Sequence, residues 1–199
     1  QCFFGAYGEP TCASTAATGL EPEPVLRCLL RRVVERCAAL VAAWTAVGFA
    51  HGVMNTDNMS ILCLSLDLNV YGFMEQYNEE YVPNKIDDEG RYAFGNQAEV
   101  MRWNLRRLAS ALGGTSYPQD HEADRRSWSK AGQLDGVSDG GWLSASARAA
   151  ELNVFDDVYG RCFDVRRRLR LGLPPNGGTN GSDQHGQQQT DFAATAIEQ

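Results

Sequence analysis

The chain has 199 residues, of which 43% are hydrophobic, enough for one domain with a sizeable core. Its net charge of −7 excludes a nucleic-acid binder of the usual kind, whose footprint is a basic surface. No apolar run approaches the roughly 20 residues a membrane helix needs, so no membrane partner is expected.

Residues 1–23 are rich in Gly, Ala, Thr and Pro without a clear period, and are expected to be an unstructured N-terminal segment. Glu21-Pro22-Glu23-Pro24 then reads as a helix start, with acidic residues suited to the positive end of the dipole and Pro tolerated in the first turn. From Val25 to Val47 the apolar residues Leu26, Leu29, Leu30, Val33, Val34, Cys37, Leu40, Val41 and Trp44 recur at three- and four-residue steps. The stripe is broad enough for the central helix of a helical lobe, and Gly48 ends it. Ser60 to Leu66 is rich in Ile and Leu and reads as a short buried hairpin.

Residues 68–96 are dominated by turn formers, with Tyr71, Phe73, Tyr77, Tyr81, Tyr92 and Phe94 between them. So long a loop is expected to be functional or mobile. Helix returns over Gln97–Leu112, followed by a glycine-rich surface insertion at about 113–141 and a third helical region from Leu143 to Leu171. The Arg166–Arg170 run reads as a solvated helix end, since cations suit a helix C-terminus. Residues 174–199 fall to Gly, Asn, Gln and Ser and are expected to be disordered. The six cysteines show no C-x-x-C spacing. They are read as reduced thiols packed as small hydrophobes, which points to a reducing compartment.

The most informative stretch is His51 to Asp67, HGVMNTDNMSILCLSLD. Protein kinases carry H-R-D-x-x-x-x-N in the catalytic loop and a D-F-G Asp on the next hairpin. Here Asn58 stands seven residues after His51, as in that pattern. Val53 occupies the place of the catalytic Asp, an Asp appears instead at Asp57, and Asp67 stands where the D-F-G Asp belongs. Mg²⁺ takes hard oxygen ligands, and Asn58 and Asp67 supply an amide oxygen and a carboxylate. Asp57 can face an incoming hydroxyl as its proton acceptor, and His51 is assigned a structural role. The alternative is an ordinary Asx turn at Thr56-Asp57-Asn58 and a strand-end cap at Asp67.

The runs AAWTAVGFAHGVMNTDNMSIL, YGFMEQYN, YVPNKIDDEGRYAFGNQAEVMRWNLRRLA and LRLGL resemble the selenoprotein O family, from about Arg31 to Leu112 and more thinly from Leu152 to Leu173. The resemblance implies a protein-kinase-like pseudokinase that transfers AMP from ATP to Ser, Thr or Tyr hydroxyls of proteins. It implies Asp57 as proton acceptor, Asn58 and Asp67 as ligands of Mg²⁺ (or Mn²⁺), and Asp67 beside the bound ATP. It also implies a mitochondrial location if the source is eukaryotic and a cytoplasmic one if bacterial.

Three departures stand against the family pattern. The metal Asp usually continues as D-Y-G-P, whereas here it continues Leu68-Asn69-Val70. The family's C-terminal Cys-x-x-selenocysteine is missing. Nothing matches the smaller lobe, since no G-x-G-x-x-G or V-A-I-K strand occurs and Lys85 and Lys130 are the only lysines. The expected fold is therefore mainly α (α+β), a partial kinase-like fold whose large lobe spans 24–173, with the N-lobe missing. The chain is expected to be a fragment with impaired transfer. A non-catalytic protein-binding module remains the alternative, with phosphoryl transfer a third.

Overall fold

A computed structural model describes residues 22–114 and 142–174. The expected N-terminal segment, most of the insertion and the tail fall outside these residues, apart from Pro22 and Glu23, which open the first helix, and Pro174. The fold is mostly helical with one two-stranded sheet. In chain order it comprises α1 (Pro22–Val47), β1 (Phe49–Ala50), β2 (Gly72–Phe73), α2 (Gln97–Leu112), α3 (Ala145–Leu152) and α4 (Val154–Arg170). The α+β class read from the sequence holds.

Helix α1 is the central element, and it packs against α4 most extensively and then against α2 and α3. Its apolar stripe buries Leu30, Val34, Ala38 and Val41 against Met101, Leu105 and Ala109 of α2 and Phe155 and Val158 of α4. Small residues at 38, 39, 42 and 43 are all buried, which lets neighbouring backbone come close to the helix. Gly48, at φ 71°, ends α1 in the left-handed region and turns the chain into β1. There Phe49 pairs with Phe73 and Ala50 with Gly72 in antiparallel register.

Charge ties α1 to α3. The Glu151 carboxylate is buried and accepts from Arg27 at 3.0 and 3.1 Å and from Arg31 at 3.2 Å. Ser144 caps α3 by accepting from the Ala147 N–H, and its hydroxyl donates to Glu23 at 2.7 Å.

One expectation is refined and two are corrected. The region 143–171 is helical, and the structure refines it into two helices meeting at Asn153. The Ser60–Leu66 hairpin exists, bridged at Met59 and Ser65, but it is not buried. Its Ile61, Leu62, Leu64 and Leu66 are 54 to 68% exposed, because nothing described packs over their outer face. Cysteine usage is mixed, since Cys28 is disulfide-bonded while Cys37, Cys63 and Cys162 are free thiols. The composition argument for a reducing compartment therefore lapses.

Helices α2 and α3 meet where the Arg148 side chain, fully buried, lies across Gly113. A Cβ at 113 would fall 2.5 Å from the Arg148 Cζ. Gly113→Ala should therefore destabilise the chain by about 1–3 kcal/mol in urea unfolding; a change under about 0.5 kcal/mol would show that this contact relaxes freely.

Candidate functional site

Residues 51–67 form an irregular segment whose backbone runs partly through the interior. Buried backbone polar groups need partners, and here side-chain amides supply many of them. Gln97, the first residue of α2, is buried, accepts from the His51 N–H at 2.9 Å and donates to the Phe49 carbonyl at 2.9 Å. One turn pair further along α2, Asn104 donates to the Met54 carbonyl at 2.9 Å. Asn84 donates to the Gly52 carbonyl at 3.3 Å and Asn58 to the Val53 carbonyl at 3.1 Å. The Tyr92 hydroxyl donates to the Asn55 side-chain oxygen.

Gly52 is required where it stands. Its φ is +83°, and a Cβ would lie 2.7 Å from the Val70 carbonyl oxygen, so the two chain segments cross only because residue 52 has no side chain.

His51 is structural, as the sequence suggests, and the structure shows how. Its ring is buried beside Trp44, with centroids 5.3 Å apart. Its Nδ1 accepts from the Val53 N–H at 3.2 Å, which leaves the proton of the neutral ring on Nε2. That nitrogen meets the Ser65 hydroxyl, which in turn donates to the Asp67 backbone carbonyl at 3.0 Å. The chain of bonds runs from the loop, through the imidazole, to the Asp67 main chain. Burial lowers the His51 pKa below its ordinary value, and the nearby Asp67 charge opposes that shift without cancelling it.

The two candidate ligands, Asn58 and Asp67, and the candidate proton acceptor Asp57 all lie at the base of one hairpin. Thr56–Asn58 form a 3-10 turn closed by the Asn58 N–H on the Asn55 carbonyl at 3.1 Å, with no side-chain cap. The alternative Asx turn at this position is therefore not what forms. The Leu66 N–H donates to the Asn58 carbonyl at 2.9 Å, so Asn58 and Asp67 flank the neck of the hairpin. Asp57 is exposed and lies close enough to Tyr92 for its charge to raise the Tyr92 pKa, after the larger effect of burial. Asp67 is exposed as well, and one of its carboxylate oxygens accepts from the Asn69 N–H at 2.9 Å in an Asx turn, where the alternative reading of this residue is a strand-end cap.

The donor set fits a hard cation in its chemistry. The Asn58 nitrogen faces a carbonyl, which turns the amide oxygen the other way, and Asp67 brings a carboxylate to the same neck. Among the described residues, no three His, Cys, Asp or Glu side chains form a metal-holding group, so any ion here needs the Asn58 amide and outside oxygens. The amide anchors Gln97, Asn84 and Asn104 escaped the sequence reading. The one signal for Gln97 and Asn104 is their spacing, seven residues apart on a mostly apolar helix face.

Comparison with known proteins places these residues in context. The family model described as "Protein adenylyltransferase SelO" matches residues 18–197. A "Protein nucleotidyltransferase YdiU" of Ralstonia nicotianae is 42% identical over 158 residues, covering 77% of this chain and 27% of that protein. The YdiU protein of Pectobacterium carotovorum is 58% identical over 82 residues, 41% of this chain and 17% of the relative. Human "Protein adenylyltransferase SelO, mitochondrial" is 55% identical over 82 residues, 41% of this chain and 12% of the relative. The chain thus spans about a quarter, or less, of the length of the curated relatives it matches.

Two outcomes follow from this geometry. Gln97→Leu orphans the Phe49 carbonyl and the His51 N–H together, and should lower stability by roughly 2–4 kcal/mol in urea unfolding; a loss below about 0.5 kcal/mol would remove the clamp from the account. With the His51 pKa lowered on folding, the unfolded chain takes the proton first. Stability should fall as pH drops through about 6.5, levelling below the folded value, and His51→Gln should flatten that part of the curve. Parallel curves for the two proteins would contradict it.

Proposed function

This chain belongs to the SelO family of protein adenylyltransferases, and on that premise we propose that it is the larger-lobe part of a kinase-like nucleotidyltransferase that moves AMP from ATP to Ser, Thr or Tyr hydroxyls of proteins. The observation that carries this reading is the closed neck of the hairpin, where the Asn58 carbonyl accepts the Leu66 N–H and the His51–Ser65 pair holds the Asp67 main chain. It keeps an amide oxygen and a carboxylate on one short stretch of fixed backbone, one residue from the exposed Asp57.

In this reading Asn58 and Asp67 would hold Mg²⁺ or Mn²⁺, and a bound ion would offset the negative charge of the triphosphate. Asp57 takes the proton of the acceptor hydroxyl. The hydroxyl oxygen bonds to the α-phosphorus of ATP, the bond from that phosphorus to the bridging oxygen breaks, and pyrophosphate leaves. The amide anchors hold the loop still, so that little reorganisation is needed when the reacting groups meet. In this reading Asp57 serves to orient the acceptor hydroxyl as much as to take its proton.

A second reading, a protein-binding module, is favoured by the exposed row Ile61, Leu62, Leu64, Leu66 and Leu68, joined by Tyr71 and Phe73, each 49% exposed or more. No helix among the described residues is long and apolar enough to cross a membrane.

The test supplies ATP labelled on the α or the γ phosphate, with Mg²⁺ or Mn²⁺ and an acceptor protein. It is run on the chain alone and on the Ralstonia relative with this chain in place of its matching segment. The replaced relative should transfer the α label only. Asp57→Ala should cut the rate roughly 10²-fold or more, and Asp67→Ala should abolish transfer. The chain alone should transfer little. Transfer of the γ label would make the protein a kinase. Full activity in both variants would sink the site assignment, and no transfer from either label would favour the binding module.

A further inference from the structure

The hairpin that carries Asn58 and Asp67 also carries a second chemical group at its tip. Cys63 sits at φ 59°, the only described non-glycine residue with positive φ. The Cys63 N–H closes the turn on the Ser60 carbonyl at 2.8 Å, and Ser60 N–H reaches the Leu64 carbonyl at 3.0 Å. Glycine is the default residue for a left-handed position in such a turn, so a side chain there is strained and is held by its surroundings. The strained residue points its thiol back at α1. Its Sγ lies 3.2 Å from Sγ of Cys37 and 3.6 Å from the Val33 carbonyl oxygen. Both cysteines are free thiols, Cys37 buried and Cys63 half-buried.

We propose that Cys37 and Cys63 are a reversible dithiol–disulfide site, oxidised by a peroxide, that staples the tip of the hairpin to α1. The sulfurs need to close by only roughly 1.2 Å to reach disulfide length. The two thiols are unequal. The hydrogen bond from Cys37 lowers the Cys63 pKa, helped by the Arg36 charge and opposed by burial. The same bond, with burial, raises that of Cys37. Cys63, the more accessible and more acidic thiol, is the attacking group.

The chemistry balances without help from the rest of the protein. The Cys63 thiolate sulfur bonds to one peroxide oxygen, the O–O bond breaks, and the departing hydroxide takes a proton to become water. The product is a Cys63 sulfenic acid. The Cys37 sulfur then bonds to the Cys63 sulfur, the S–O bond breaks, and the leaving hydroxide takes the Cys37 proton as a second water. Two thiols lose two electrons and two protons, and hydrogen peroxide takes them up to become two waters. A small-molecule thiol reverses the bond by exchange.

Trypsin makes the experiment direct. Cleavage after Arg36 and Lys85 releases one peptide, 37–85, that holds these two cysteines and no others. The full chain is treated with hydrogen peroxide, alkylated, digested and weighed. Peptide 37–85 should carry no alkyl group and weigh two hydrogens less than the free dithiol peptide, and should gain two alkyl groups after dithiothreitol, while Cys162 stays alkylatable throughout. Cys37→Ser should stop at a Cys63 sulfenic acid, trapped by dimedone. Cys63→Gly suits the turn's φ, so it keeps the fold, and it should leave a Cys37 thiol that peroxide does not touch. Two alkyl groups on peptide 37–85 after peroxide would overturn the proposal. So would a link from either cysteine to any other, or loss of the Cys37 thiol in Cys63→Gly.

Discussion

The side-chain amide of Gln97 is the contact on which the rest of the site depends. Between β1 and the hairpin the backbone passes through the interior with no regular partner strand beyond two residues. An unpaired buried N–H or carbonyl costs about 1–3 kcal/mol, and this stretch presents several. One buried amide at the first turn of α2 answers both the Phe49 carbonyl and the His51 N–H. Asn104, Asn84 and Asn58 answer the next three carbonyls in the same manner. A loop satisfied this way by four side chains on three different segments has one conformation, and so do the oxygens it displays.

That constraint passes to the hairpin through His51. The imidazole touches the loop through one nitrogen and Ser65 through the other, and Ser65 fixes the main chain of Asp67. The central helix supports the assembly from below, through Trp44 against the ring and Cys37 against the hairpin tip. The polar neck of the hairpin is thus well anchored, while its apolar outer edge stays open to solvent. The curated relatives are longer than this chain, and an uncovered apolar edge beside the proposed site is surface that added protein can bury.

Much of this was legible in the sequence, for identifiable reasons. The three- and four-residue spacing from Leu26 to Trp44 is dense enough that only a helix explains it, and α2 occupies Gln97–Leu112 as its periodicity demands. Gly48 and Gly172 terminate helices at positive φ as helix-ending glycines do. The hairpin was readable in existence but not in burial, because Ile and Leu in a short run say how much apolar surface there is and not what covers it. The break at Asn153 left little trace, since the apolar residues Leu152, Val154 and Phe155 that pack on the core stand directly on either side of it. The candidate residues Asp57, Asn58 and Asp67 were visible through motif spacing alone. The amides that hold them were not, because a Gln at the start of a helix reads as an ordinary polar first-turn residue. Cys63 gave no sign of its partner 26 residues away, a pairing set by tertiary packing.

The central claim is that the neck of one fixed hairpin offers oxygen ligands to a single divalent ion bound with a nucleotide. Manganese tests it directly, because its unpaired electrons broaden the NMR signals of nearby nuclei. With Mn²⁺ and ATP added to the isotopically labelled chain, the side-chain amide of Asn58 and the backbone amides of Asp57 and Asp67 should broaden together, and Asp67→Ala should restore them. Broadening centred on the acidic stretch Asp87-Asp88-Glu89, with the 57–67 signals untouched, would contradict the account.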